Sequence, residues 1–142
     1  MRFLRSAVAV AFVAVLPTFA AAQADLPLDR IKLPPGFVID VVARVDAARA
    51  MTWGDKGTLF VGTHSGRVFA VTLPAPGTTA PVRVRTVASG LRDPSGVAFR
   101  DGALYVSAVS RILRFDDIER RLDDPPAPVV VTDRYPGDAH HG

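Results

Sequence analysis

Hydrophobic residues in this chain fall in short segments rich in β-branched and aromatic side chains, separated by glycines, prolines and charged residues. Such segments predict β-strands, for example at 37–42 and 82–87. One segment, 116–122, predicts a helix instead, because Asp116 as N-cap and Glu119 three residues later form a capping box. We expect this short helix to lie on the surface.

One strand motif recurs at a long period. The segment GTLFV at 57–61 corresponds to GALYV at 102–106 with a separation of 45 residues, and 67–71 corresponds to 111–115 with a separation of 44. Each unit contains a strand, a glycine turn, a second strand, a loop, a third strand and a variable fourth strand. The pair DG at 101–102 suits a type I′ hairpin, because both central positions of that turn need positive φ.

The repeat predicts an all-β fold of the β-propeller class, because four short antiparallel strands per about 45 residues is the period of a propeller blade. A β-sandwich also has recurring strands but does not explain one motif matched at a single long period. Residues 25–142 supply about two to three blades, and we expect Trp53 and Tyr105 to pack within them. Since closed propellers need at least about four blades, we expect this chain to be the N-terminal part of a larger ring.

The N-terminus has the pattern of a secretory signal peptide. Two arginines precede an uncharged apolar run at 7–16, and the triplet AQA at 22–24 is a small-x-small cleavage site. The run is shorter than the roughly 20 residues needed to cross a bilayer. The sequence therefore predicts a signal peptide at 1–24, a propeller domain at 25–142, no membrane span after cleavage, and a periplasmic or secreted location in a bacterium.

Charge and composition exclude several classes of function. The formal net charge of +3 falls to +1 when the leader is removed, and the remaining basic residues alternate with acids. A protein that binds nucleic acid needs a basic patch, which this pattern lacks. The chain has no cysteine, so disulfide frameworks, cysteine-ligated zinc and cysteine nucleophiles are excluded.

Few side chains offer catalytic chemistry. In an extended segment Asp138 and His140 would point to the same side, where a carboxylate could orient the imidazole of a general base. From spacing alone, a pair of loop histidines without a role fits the sequence as well. No metal site is predicted, because no third ligand has a spacing suited to zinc. The segment GTHSG at 62–66 has its serine one place late for a nucleophile elbow, so we interpret it as a tight interstrand loop.

An ordered set of segments resembles the N-terminal part of the pyrroloquinoline quinone (PQQ)-dependent sugar dehydrogenases, within them the sorbosone and pyranose dehydrogenase type. The resemblance covers residues 31–142. The segments are LPPGFVIDVVARV, ARAMTWGDKGTLFVGTHSGRVFAV, LRDPSGVAFRDGALYVSAVSRILRFDDIERRL and DAHHG.

The resemblance implies a six-bladed periplasmic propeller that binds PQQ and calcium at one end of its channel and oxidises an aldose or related sugar. A histidine base takes the hydroxyl proton, the quinone takes the hydride, and a cytochrome or quinone accepts the electrons. The family's His-x-Gly segment corresponds to 140–142, which makes His140 the candidate base and His141 the alternative if the correspondence shifts by one. The PQQ and calcium ligands are expected in later blades.

Two other classes of function stay open. A calcium-dependent lactonase or esterase propeller would need acidic and asparagine ligands in the channel, and no such cluster is evident in the sequence. A propeller that only binds a partner, without catalysis, would give the remaining histidines no chemical role.

We expect expression in a Gram-negative host to give a periplasmic product that begins at Asp25, because the leader ends in a small-x-small site. Intact mass and N-terminal sequencing check this result. Ala24→Leu should block processing, since a bulky residue does not fit the peptidase. A periplasmic product that begins at another residue would contradict the assignment.

Overall fold

The computed structural model describes residues 26–137, and the chain divides into two compact units, 1–39 and 40–142. The described part of the first unit contains a 3-10 helix, Leu28–Arg30. It also contains a turn in which the Phe37 N–H donates to the Pro34 carbonyl at 3.2 Å. This unit is short and carries no strand in its described residues.

The predicted strand at 37–42 is wrong. None of these residues pairs with any strand in the described part of the chain, and Val38 is 91% exposed. A strand is stabilised by hydrogen bonds to a neighbouring strand and by packing on one face. A β-branched run therefore remains irregular when no strand lies beside it.

The second unit contains two four-stranded antiparallel sheets, in which each strand pairs with the next one in the sequence. The first sheet consists of β1 (Ala48–Trp53), β2 (Thr58–Thr63), β3 (Val68–Thr72) and β4 (Arg83–Ala88). The second consists of β5 (Gly96–Arg100), β6 (Ala103–Ala108), β7 (Arg111–Phe115) and β8 (Val129–Thr132). The described fold is all-β, and the prediction of four strands per repeat is confirmed.

The turns of the repeat form where the sequence predicts them. Asp101 and Gly102 have φ of 51° and 79° and join β5 to β6, as a type I′ hairpin requires. Residues 64–66 form the loop between β2 and β3, as expected, whereas Gly62 and Thr63 are the last residues of β2. The fourth strand begins at Arg83, one residue later than predicted.

Both faces of the first sheet carry buried apolar residues. The buried residues that face the second sheet are Phe60, Val68, Ala70 and Val87. Those on the opposite face, which we call the outer face, are Val61, Phe69 and Val71, with Ala43 and Val45 packed against them. The outer face of a simple two-layer sandwich carries polar side chains into water. The first sheet instead packs against the second sheet on one face and against Ala43 and Val45 on part of the other.

The two sheets meet at one edge. The Ala50 N–H of β1 donates to the Ser95 carbonyl just before β5 at 3.3 Å, and the rings of Phe60 and Phe99 stack with centroids 5.7 Å apart. At the far edge a cleft of about 320 Å³ opens between β4 and the proline-rich segment before β8. The pair of sheets is therefore wedge-shaped, with β1 and β5 at the narrow edge.

The predicted helix at 116–122 is reduced to a single 3-10 turn, Ile118–Arg120. The residue before it, Asp117, has a left-handed φ of 49°, and no side chain caps the turn, so the capping box is absent. Ile118 is fully buried in the core between the sheets. The expectation of a surface helix is wrong, because burial of Ile118 determines the local backbone.

Glu119 connects this turn to the first sheet. Its carboxylate accepts hydrogen bonds from the backbone N–H groups of Lys56, at 3.0 Å, and Thr58, at 3.3 Å. A Cβ at position 54 would overlap the Glu119 carboxylate, so a larger residue there would displace it. The contact closes the inter-sheet core at the end where β1 finishes.

Large apolar side chains remain exposed on the outer face of the first sheet. Met51 and Trp53, opposite Val61 and Leu59 in the β1–β2 register, are 63% and 55% exposed. The expected packing of Trp53 within a blade is therefore not seen among the described residues. Strand alternation directs this indole to the outer face, beyond the part that Ala43 and Val45 cover.

The second sheet also has a partly covered face, directed away from the first sheet. Tyr105, Ser107 and Ile112 line a shallow depression there. Beside it, Arg114 donates to Asp116 at 2.7 Å, and this hydrogen bond raises the pKa of the Arg114 guanidinium above its usual value. This face therefore carries a partly exposed apolar patch beside the ion pair of Arg114 and Asp116.

Removing the Glu119 carboxylate should destabilise the fold. We expect Glu119→Ala to cost about 1 kcal/mol, because two backbone N–H groups lose a charged acceptor at a partly exposed site. Gly54→Ala should cost a similar amount by displacing the same carboxylate, so the two substitutions should not be additive. Urea unfolding of the single and double variants measures this coupling; additive costs would contradict the assignment.

Candidate functional site

The candidate site lies at the end of the sheets where β1 and β5 begin, which we call the loop end. Because consecutive strands are antiparallel, odd-numbered strands begin there and even-numbered strands finish there. The loop end comprises the β2–β3 loop at 64–67, the β4–β5 linker at 89–95, the β6–β7 turn at 109–110 and the segment 133–137 after β8.

Backbone hydrogen bonds hold the β2–β3 loop against its neighbours. The Thr63 N–H donates to the Pro94 carbonyl at 3.0 Å, which ties the end of β2 to the β4–β5 linker. The His64 N–H donates to the Ala47 carbonyl at 3.1 Å, just before β1. His64 is therefore anchored beside the starts of both strands at the narrow edge of the wedge.

Gly62 permits this close approach. A Cβ at this position would lie 2.7 Å from the Pro94 carbonyl oxygen and closer still to that of Ser95. Both are backbone atoms, which cannot rotate away as a side chain can. Glycine as the last but one residue of β2 thus allows the linker that carries Asp93 to lie directly against the strand.

The central contact of the loop end is a hydrogen bond between His64 Nδ1 and Asp93 Oδ1. The two side chains are 48% and 33% exposed, so the pair is open to solvent on one side. Asp93 has a left-handed φ of 47°, a conformation that aspartate tolerates better than most residues. The Ser95 N–H donates to the Asp93 carbonyl at 2.8 Å and closes this turn.

This arrangement defines the chemistry of the imidazole. An ionised carboxylate accepts but does not donate, so the shared proton belongs to Nδ1 of His64. In the neutral ring Nε2 then carries the lone pair, on the side away from Asp93. Such an imidazole can accept a hydrogen bond from a hydroxyl group or remove its proton.

Ser65 is not an activated nucleophile. Thr63 Oγ1 donates to the Arg67 carbonyl at 2.6 Å, so the hydrogen bond between Ser65 Oγ and Thr63 Oγ1, at 2.8 Å, uses the serine proton. The imidazole of His64 is directed to Asp93 instead of to this hydroxyl. The geometry therefore agrees with the sequence argument against a nucleophile elbow.

The described residues contain no cluster of metal ligands. No group of three or more histidine, aspartate or glutamate side chains that could hold a metal occurs within 26–137. Calcium takes six to eight oxygen ligands, which one histidine–aspartate pair does not provide. Arg67 lies 3.7 Å from Asp46, so its charge is partly balanced within the loop end. This part of the chain therefore presents no clustered ligand set for calcium.

The candidate base His140, its alternative His141 and the neighbouring Asp138 lie outside the described residues. The described chain nevertheless reaches the loop end after β8, where the Tyr135 N–H donates to the Ser110 carbonyl at 3.2 Å. His140 follows Gly137, the last described residue, by three positions in the sequence.

Sequence reasoning missed the pair of His64 and Asp93. The two residues are 29 positions apart, and no spacing rule joins an interstrand loop to a linker between sheets. The available signal was topological. In the predicted meander, both the β2–β3 loop and the β4–β5 linker must lie at the end where the first strand of each unit begins.

Comparisons with known proteins give little information about function. No family model matches the chain, and no solved structure matches it. An uncharacterised protein of Borreliella burgdorferi is 24% identical over 95 residues, which are 66% of this chain and 23% of that protein. The chain thus spans about a quarter of the length of this relative. Within residues 26–137 no helix is long and apolar enough to cross a membrane.

Gly62→Ala should disrupt the loop end. We expect a loss of about 3 kcal/mol of stability, because the new methyl group overlaps two carbonyl oxygens that cannot move independently of the backbone. The downfield imidazole proton of His64 should also lose protection from exchange. Gly137→Ala is the matched control, since a Cβ there has nothing within 4 Å. Equal stability of the two variants would contradict the packing described here.

Proposed function

We propose that the two sheets are neighbouring blades of a β-propeller, and that this propeller is an exported quinoprotein that oxidises an aldose or a related sugar. Further blades would be needed to close the ring. The observation that carries the architecture is that the first sheet is apolar on both faces.

The exposed surfaces support further blades on both sides. The outer face of the first sheet leaves Met51 and Trp53 more than half exposed. The far face of the second sheet has a shallow apolar depression beside Tyr105 and Ile112. Blades in a ring pack face to face, so each of these surfaces would be covered by a neighbour.

One backbone hydrogen bond recurs at equivalent positions of the two sheets, which supports the proposal that the second sheet repeats the first as the next blade. In the first sheet the Leu91 N–H donates to the Gly66 carbonyl at 3.1 Å, and in the second the Tyr135 N–H donates to the Ser110 carbonyl at 3.2 Å. Both partners are displaced by 44 residues. The wedge places β1 and β5 at its narrow edge, as expected for innermost strands that face a central channel.

The chemical proposal rests on the resemblance to the PQQ-dependent sugar dehydrogenases. It assigns His140 as the general base that takes the proton of the hydroxyl being oxidised, with His141 as the alternative. The segment that leads to His140 leaves β8 at the loop end, where the Tyr135 N–H is bonded to the β6–β7 turn. An imidazole titrates near neutral pH and is therefore a suitable base.

PQQ would supply the acceptor of the hydride, and calcium would hold PQQ. Residues 26–137 contain no group of three or more metal-ligating side chains, and the proposal assigns no cofactor ligand to them.

Reconstitution of the full gene product with PQQ and calcium tests this function. We expect aldoses or sorbosone to reduce an artificial dye, and His140→Ala to lower kcat by about 10²-fold to 10⁴-fold, because the general base is lost. His141→Ala distinguishes the two assignments, since one of the two variants should keep most of the activity.

Arg100→Gln is the control variant, because its side chain is 81% exposed at the end opposite the loop end. Absence of dye reduction with every sugar tried, in protein that binds PQQ, would reject the sugar dehydrogenase. Unchanged turnover in both histidine variants would reject the assigned base.

A further inference from the structure

We propose that His64 and Asp93 form a hydroxyl-binding subsite at the loop end, in which His64 Nε2 accepts a hydrogen bond from a neutral polyhydroxylated ligand and Asp93 fixes the imidazole. The proposal deepens the proposed function, on which it rests for the identification of the ligand as a sugar. In that reaction His64 is a binding residue that orients the substrate, and Asp93 is a positioning residue.

The first argument is the orientation of the ring. Asp93 engages Nδ1 and leaves Nε2 as the acceptor, and no described group is hydrogen-bonded to Nε2. The backbone of His64 is anchored to Ala47, and that of the linker is anchored to Thr63. A half-exposed imidazole fixed by both its backbone and its Nδ1 loses little conformational entropy when a ligand binds.

The second argument is the class of group that the subsite can recognise. The Ser65 proton is used by Thr63, so Ser65 Oγ presents lone pairs, and Asp93 keeps a second carboxylate oxygen. Nε2 of neutral His64 is a further acceptor, on the side of the ring away from Asp93. Several acceptors on neighbouring residues suit a ligand with several O–H donors, whereas a fully ionised anion such as sulfate has no donor to offer them.

The third argument is position. His64 lies beside the residue before β1, and Asp93 lies two residues before Ser95, which is bonded to β1. Both are therefore at the narrow edge of the wedge, at the end to which the segment before His140 also returns. In the proposed ring this edge borders the mouth of the channel, so a sugar held by His64 would lie on the side of the propeller that carries the base.

The test uses ¹⁵N spectra of the imidazole groups in the cofactor-free full gene product. At a pH where His64 is neutral, we expect Nδ1 to be protonated and Nε2 to be unprotonated. Titration with D-glucose, D-galactose and D-mannitol should shift the Nε2 resonance saturably with at least one of them, whereas sulfate should not. Protonated Nε2 in the neutral ring, or no shift with any polyol, overturns the proposal.

Asp93→Asn is the test of the positioning residue, because asparagine tolerates the same left-handed backbone. It should weaken binding of the polyol about tenfold, the equivalent of roughly one hydrogen bond. Asp101→Asn is the matched control: it changes the same group at a similar φ of 51°, in the hairpin at the opposite end. Equal affinity in both variants contradicts the role of Asp93.

Turnover separates this proposal from the proposed function. Where the reconstituted protein reduces dye, His64→Phe should raise KM about tenfold and change kcat little, because binding but not chemistry is affected. An unchanged KM rejects the subsite while the dehydrogenase stands. Saturable polyol shifts at His64 without any dye reduction reject the dehydrogenase while the subsite stands.

Discussion

Burial of apolar side chains on both faces of the first sheet is the constraint on which the rest of the structure depends. Phe60 on one face and Val61 on the other are both inaccessible to solvent, although they are adjacent in one strand. A strand with two buried faces must lie between two layers. The second sheet supplies one layer, and residues before β1 supply part of the other.

The same constraint positions the loop end. Because the sheets are close at β1 and β5, the linker between them must pass directly over the end of β2, where only glycine fits at position 62. The short path forces Asp93 into a left-handed turn and brings its carboxylate to His64. The polar pair is thus a consequence of how closely the apolar faces pack. At the opposite end of the sheets, Ile118 is buried in the core and Glu119 accepts hydrogen bonds from the β1–β2 loop, and together they close the core there.

The repeat and its turns were predictable because they are local. Glycine at 57 and 102, and alternation in the strands between them, encode hairpins whose partners are adjacent in sequence. The predictions of a strand at 37–42 and of a capped helix at 116–122 were wrong for a common reason. Each has the local composition of its predicted element, but the first has no strand beside it and the second is rebuilt by burial of Ile118.

The sequence alone determined that the described chain is all-β, with four strands per repeat and hairpin turns at set positions, since these follow from propensity and short-range pairing. Only the tertiary structure decided that Glu119 reaches the β1–β2 loop, that Trp53 is directed outward, and that His64 meets Asp93. These contacts join residues that are distant in the chain or depend on which face of a sheet is covered. Their geometry is fixed by the packing of one sheet on another, and no local pattern encodes that packing.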